Sequence, residues 1–258
     1  MTGTRLDITD HIAVLTMDRP PVNALASATY SSIGAHLDDV ANSDGASVLV
    51  LASASSRAFS AGADTTELRE LVGGDAQDAN VRRQLLARSV YEKLLDLPQP
   101  TIAVLDGPAI GAGAVIASCC DMRIGTRRAS FLLPEVDVGR CGGARHMMRH
   151  LPQGIVRRMY FTADPLSAAD AASYGFLELV DDGADPLEAA LDRASVIARK
   201  SPIALRLGKE ALNASESLPV KAGYVLEQEY TLRLACTDDA REALAARHEK
   251  RAPRFVGR

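Results

Sequence analysis

An α/β fold with crossover connections is what this sequence predicts, on three observations. Two short continuous apolar runs, SVLVLAS at 47–53 and TIAVL at 101–105, have the form of strands buried on both faces. Each is followed by a loop of small residues and then by a segment with helical spacing. Beyond about residue 150 the pattern becomes mostly helical.

The elements follow in order. LDITDHIAVLTMD alternates apolar and polar residues about Asp10-His11, which predicts a hairpin. Tyr30, Ile33, Leu37 and Val40 recur at helical spacing. The loop RAFSAGAD (57–64) follows the first buried strand. Val81, Leu85, Leu86, Val90, Leu94 and Leu97 predict the apolar face of a helix, which Pro98 and Pro100 stop. DGPAIGAGAVIASCC (106–120) reads as a Gly-rich turn entering a helix, and DMRIGT as a third short strand. Leu187, Leu191, Ala194 and Ala198 make one later stripe; Leu205, Gly208 and Leu212 make another. Pro219 opens a further helix and Thr237 caps the last. No linker rich in Gly, Ser or Pro divides the chain. A core over 1–200 and a helical subdomain over 201–258, packing on a neighbouring copy, are the expectation.

Composition narrows the partners. The chain has 258 residues, 47 % hydrophobic and 24 % charged, with a net charge of −4. That balance suits a globular protein with a sizeable core. It lacks the basic stripe and the aromatic platforms that nucleic-acid binding uses. No apolar run approaches the ~20 residues of a membrane span. The start, MTGTRLDITD, lacks the charged-then-apolar build of a signal peptide, so a cytoplasmic location is expected. Cys119, Cys120, Cys141 and Cys236 form no CxxC and have no zinc spacing. They read as buried free thiols, with a nucleophilic Cys141 as the minor alternative.

The chemistry lies in two bare loops, Ala61-Gly62-Ala63 and Gly111-Ala112-Gly113. Both stand where a strand hands over to a helix, so free backbone N–H groups are available. Two such donors converging on one oxygen stabilise an oxyanion or enolate, and small side chains let that oxygen approach. Tight strand-to-helix packing without a ligand is the alternative for either loop alone. Neither loop is GxGxxG, and GxxxxGK[ST] is absent, so a dinucleotide or P-loop site fails on spacing.

The pair and its surroundings resemble the enoyl-CoA hydratase/isomerase family, the crotonase superfamily. The matching segments are RPPVNALA (19–26), RAFSAGAD, DGPAIGAGAVIASCCDMRIGT, ASFLLPEVDVG, FTADPLSAADAASYGFLELV, SPIALRLGKEAL and KRAPRFVGR, in order over nearly the whole chain. The resemblance implies a crotonase-like α/β spiral of ββα repeats with a C-terminal helical subdomain. It implies homotrimers or homohexamers, and an acyl-CoA thioester as ligand. No separate cofactor is expected, because coenzyme A is part of the substrate. By the same resemblance, Ala63 and Ala112 supply the amides that hold the thioester oxygen. Ala24, Ala61, Asp64, Thr65 and Thr66 fall where the adenine and pantetheine lie. Arg254 and Phe255 fall where the tail reaches the nucleotide.

One catalytic position departs from the family pattern. Hydratases of the family use two glutamates; here one is Glu135, in LLPEV, and the other position holds Val115. A single carboxylate can take a proton from one carbon and return it to another, which is all a double-bond shift needs. An apolar Val115 would dry the pocket and raise the Glu135 pKa. The expected activity is therefore an enoyl-CoA isomerase. The alternatives are a hydratase or lyase working with one glutamate, and an acyl-CoA binder without catalysis. Asp137 would point the same way as Glu135 if the segment were extended; a solvent-facing or structural role is the other reading. Arg140 could meet a polar or carboxylate-bearing acyl group. Arg145 reads as surface charge, His36 as solvated, and Lys209-Glu210 as an exposed helical pair.

Overall fold

The structure is a computed structural model that describes residues 3–258; Met1 and Thr2, at the start of the predicted core, lie outside them. Its strands and helices, in chain order, are β1 (Thr4–Thr9), β2 (Ile12–Met17), α1 (Ser27–Ala41), β3 (Val48–Ser53), α2 (Thr65–Glu70), α3 (Gln77–Asp96), β4 (Thr101–Leu105), β5 (Pro108–Ile110) and α4 (Ala112–Cys119). There follow β6 (Met122–Gly125), β7 (Ser130–Leu132), α5 (Ala144–Met147), α6 (Gln153–Thr162), β8 (Leu166–Ser167), α7 (Ala168–Ser173), β9 (Glu178–Leu179) and α8 (Pro186–Ala198). The chain ends in α9 (Pro202–Ser215), α10 (Val220–Ala235) and α11 (Asp238–Glu249).

The predicted hairpin forms: β1 and β2 pair antiparallel, from Thr4 opposite Met17 to Thr9 opposite Ile12. Asp10 and His11 turn the corner with φ of 50° and 64°, the left-handed pair that matches the twist of the two strands. The large sheet runs β1-β2-β3-β4-β6-β9 and is parallel from β2 onward. β5, β7 and β8 make a second, small sheet. The chain thus winds as a spiral of ββα units. β4 goes to the large sheet and β5 to the small one before α4; β6 and β7 divide in the same way. An isolated bridge from Ser60 to Ala109 extends this pattern to the turn containing β3.

Apolar burial on both faces explains the continuous runs. Leu49 and Leu51 of β3 face the main core with Ile33, Leu37, Val90 and Leu94, while Val48 and Val50 face a second cluster with Ala190 and Ala194 of α8. The helical stripes need revision in two places. On α3 the buried face is Arg83, Ala87, Val90 and Leu94, whereas Val81 and Leu85 are about half exposed. On α9 the buried residues are Lys209 and Ala211, and Leu212 faces out. Val90, Leu94 and Leu97 are buried as predicted, but both faces are shifted where a charged residue, Arg83 or Lys209, is the buried one. Lys209 is no exposed partner of Glu210: its Nζ lies 2.8 Å from the Asp121 carboxylate and donates to the Gln99 carbonyl at 3.1 Å. Paired and hydrogen-bonded, a lysine tolerates burial. Thr237 caps α11 as expected, accepting from the Ala240 N–H.

Cys119 and Cys120 are buried, but Cys141 and Cys236 are exposed, so burial holds for only half of the thiols. Among the described residues no helix is long and apolar enough to cross a membrane.

Candidate active site

The two bare loops lie against each other. Ile110 N–H donates to the Ser60 carbonyl at 2.9 Å, and Phe59 N–H to the Pro108 carbonyl at 3.0 Å. Gly62 has φ +80°, and a Cβ there would stand 2.4 Å from the Ile110 carbonyl oxygen. A Cβ on Gly113 would stand 2.7 Å from the Ser60 carbonyl oxygen. Both glycines are therefore demanded by backbone-to-backbone packing. The packing reading of the small residues is correct for these two positions, and it places the amide-bearing loops side by side.

Ala112 is the first residue of α4, where an N–H has no partner within the helix. Around Ala63, Leu25 N–H donates to the Gly62 carbonyl and Asp64 N–H to the Leu25 carbonyl. Among the described residues no acceptor takes the N–H of Ala63 or Ala112. Asn23, buried in the VNAL segment, holds the loop in place. Its Nδ2 donates to Ser53 Oγ at 2.7 Å and to the Phe59 carbonyl at 3.2 Å, and its own carbonyl accepts from Ser60 Oγ at 2.7 Å.

Ala63 and Ala112 line one cavity of about 130 Å³ together with Val115 and Glu135. Glu135 opens a 3-10 turn, Glu135–Val138, that Gly139 ends at φ +64°. Its Oε1 faces Gly111, 3.1 Å from where a Cβ would sit there. Oε2 is buried without a hydrogen-bond partner among the described residues. Burial raises the Glu135 pKa, since an unpartnered carboxylate loses its hydration. The turn also decides Asp137. The segment is not extended, so Asp137 does not follow Glu135 into the pocket but is exposed to solvent. Arg140 lines the cavity, as does Cys141; Arg145 is exposed. His36 is half-buried rather than solvated, with Nδ1 3.7 Å from Asp39.

Ala24, Ala61, Asp64, Thr65 and Thr66 form a ledge beside Ala63. Arg19 ties it together, donating from Nη1 to the Ala24 carbonyl at 2.8 Å and from Nη2 to Asp64 at 2.6 Å. Asp64 also caps α2 through the N–H groups of Thr66 and Glu67. Burial opposes its charge, but Arg19 and these N–H donors hold its pKa below the ordinary carboxylate range. Thr65 and Thr66 are exposed at the helix start. Arg254 and Phe255 are not brought to this ledge. Phe255 lines a groove with His11, Asp44 and Ser47, at the edge where β2 and β3 begin, whereas both loops leave the opposite edge. Asp239 holds the tail there, accepting from the N–H groups of Val256 and Gly257.

The opposite wall of the cavity was not legible as a site. It carries Tyr30, Arg83, Gln84 and Tyr91, from α1 and α3. Tyr30 reads as an ordinary core position in its stripe. The signal for Arg83 was present in the spacing, because Arg83, Ala87, Val90 and Leu94 share one helical face.

A ββα spiral with two free amides and a buried carboxylate around one cavity defines an acyl-CoA enzyme of the crotonase type. The chain belongs to the enoyl-CoA hydratase/isomerase family, whose profile matches residues 7–258. It is 33 % identical over 252 residues to the 2,3-dehydroadipyl-CoA hydratase of Escherichia coli, covering 96 % of each chain. It is 35 % identical over 237 residues to the (7aS)-7a-methyl-1,5-dioxo-2,3,5,6,7,7a-hexahydro-1H-indene-carboxyl-CoA hydrolase of Mycobacterium tuberculosis, covering 90 % of this chain and 94 % of that one. Among solved structures, the enoyl-CoA hydratase of Bacillus anthracis superposes with a TM-score of 0.92 at 28 % identity, covering 99 % of this chain and all of that one. DspI of Pseudomonas aeruginosa gives the same TM-score and identity, over 99 % and 97 %.

Proposed function

We propose that this enzyme shifts the carbon–carbon double bond of an enoyl-CoA, with Glu135 as the sole proton carrier. The carrying observation is that, among the described residues, Glu135 is the one acidic side chain lining the cavity, with buried Val115 in the same lining; by the resemblance, Val115 holds the position of a hydratase's second glutamate. The thioester oxygen accepts from the N–H groups of Ala63 and Ala112. Glu135 removes a proton from the carbon next to the thioester, and the two amides hold the negative charge that moves onto oxygen. The protonated Glu135 then returns the proton two carbons further along, which completes the shift with no net change in composition. The ledge of Ala24, Ala61, Asp64, Thr65 and Thr66 carries the rest of the coenzyme. Arg254 and Phe255 meet a nucleotide only across a subunit boundary, since their own pocket lies at the other edge of the sheet. A trimer or hexamer built on the region 201–258 accords with the outward-facing Leu212, Val220, Tyr224 and Leu232.

Water addition is the second reading, favoured by the hydratase and hydrolase relatives. A mass-spectrometric panel of 2-enoyl- and 3-enoyl-CoA thioesters in deuterated water separates the two. Deuterium uptake and bond migration without the mass of a water support the isomerase. Water addition by the native enzyme, lost in Glu135→Gln, rejects it for a one-glutamate hydratase. Tight binding with no exchange rejects both and leaves a binding protein. Val115→Glu is expected to add hydration of a 2-enoyl-CoA, because it restores a second water-handling carboxylate.

A further inference from the structure

The part of the cavity that α1 and α3 line is polar in a way that proton transfer at the thioester does not use. The Tyr30 and Tyr91 hydroxyls are 3.0 Å apart, with their rings edge to face at 80°. Two phenols bring two hydrogens, and their mutual bond consumes one. Among the described residues no acceptor takes the other. Beside them Arg83 is buried, its guanidinium carbon 5.6 Å from the Tyr30 ring centre. Nε donates to Glu67 at 3.0 Å and Nη2 to the Leu25 carbonyl at 3.2 Å, and the guanidinium also reaches the Tyr30 hydroxyl. Glu67 in turn is held by the Ser27 N–H and hydroxyl, so its negative charge is fixed against the arginine.

Charge and hydrogen bonding together select a ligand group. Arg83 and Glu67 cancel, so the wall presents donors without net positive charge. Such a surface suits an uncharged acceptor better than a carboxylate, whose counter-ion in the cavity would have to be Arg140 rather than Arg83. Buried donors left unmatched are costly, so an acyl group lacking the acceptor is disfavoured.

We propose that Tyr30, Tyr91 and Arg83 form a subsite for a ketone oxygen on the acyl group, so that the enzyme selects oxo-substituted acyl-CoA thioesters over plain alkyl ones. This rests on the reading that the acyl chain occupies this cavity, and it specifies which acyl class. Tyr91 donates the free hydrogen to the ketone, and its own oxygen accepts from Tyr30. Burial raises the pKa of both phenols, so each keeps its hydrogen at neutral pH. The role is one of positioning and selection, with no proton transferred.

Binding tests it apart from turnover. Calorimetry on the full-length Glu135→Gln variant compares 4-oxopentanoyl- and 5-oxohexanoyl-CoA with pentanoyl- and hexanoyl-CoA, and includes adipoyl-CoA as the charged probe. At least one oxo thioester is expected to bind about tenfold more tightly than its alkyl match, the value of one net hydrogen bond. Adding Tyr91→Phe should bring that ratio to about one. Adding Tyr30→Phe should narrow it without abolishing it, because the Tyr91 hydroxyl remains; it also serves if Tyr91→Phe shows no cooperative thermal transition. A ratio near one before either change overturns the subsite, as does a ratio that Tyr91→Phe leaves intact, or adipoyl-CoA binding more tightly than both oxo thioesters. Tight binding with no discrimination defeats this inference alone, whereas no binding of any thioester defeats the pocket assignment and this inference with it.

Discussion

Val115 and Gly143 meet at the cavity that Glu135 lines: a Cβ on Gly143 would stand 2.8 Å from Val115 Cγ2 and 3.8 Å from Glu135 Oε1. Gly143 also has φ +80°, which disfavours any side chain. The replacement Gly143→Ala is expected to lower stability by about 1–3 kcal/mol through overpacking and backbone strain. It should reduce kcat as well, by displacing Val115, which lines the cavity with Glu135. Denaturant unfolding and steady-state kinetics on one preparation check both effects; unchanged values for both would show that the contact yields freely.

Glu135→Gln should eliminate exchange of the proton next to the thioester while retaining CoA-thioester binding, since the amide keeps the shape and loses the base. If Glu135 is the base, as proposed, the native rate should fall as pH drops through a value above the ordinary glutamate range, because the ionised form would act and burial raises its pKa. Stability runs the other way. The folded state holds this proton more tightly than the unfolded chain, so the group's contribution is full below the unfolded pKa and is lost as pH rises through the raised folded one. Thermal melts should therefore place Glu135→Gln above the native protein at neutral pH, with the gap closing in acid.

Ala112→Pro removes one of the two free amides. Proline is accepted at the first position of a helix, where no intrahelical N–H bond is lost. The fold should survive, with circular dichroism unchanged, while kcat falls on the order of 100-fold or more, as for other oxyanion-hole donors. Activity within a fewfold of native would remove Ala112 from the hole.

Lys209→Met tests how the final helices are tied to the sheet. It leaves the Asp121 carboxylate facing only Thr101, whose N–H and hydroxyl donate to it at 2.7 Å and 2.9 Å. Lys209 is buried but Asp121 is exposed, so the loss expected is that of a charged hydrogen-bonded contact, about 1.5–3 kcal/mol. Urea unfolding should show a loss of that size, and the double change Lys209→Met with Asp121→Asn should recover part of it.

By itself the sequence determined the hairpin at Asp10-His11, the doubly buried strands, the helix caps and the family, because each is written in local pattern or contiguous motif. Glycine spacing singled out two loops that the structure lays against each other. It could not divide their work, since backbone packing at Gly62 and Gly113 and free amides at Ala63 and Ala112 both call for small residues. Tertiary structure alone decided the rest. A 3-10 turn sent Asp137 to solvent while Glu135 stayed in the pocket. The sheet's polarity put Phe255 at the edge away from the loops. Burial of Arg83 beside Glu67, and of Lys209 beside Asp121, shifted the faces that hydropathy assigns to α3 and α9, although Val90 and Leu94 stay buried as the pattern predicts. In each case the partner that makes the position tolerable or functional is distant in the chain, and a residue's charge reads as exposed until that partner is in place.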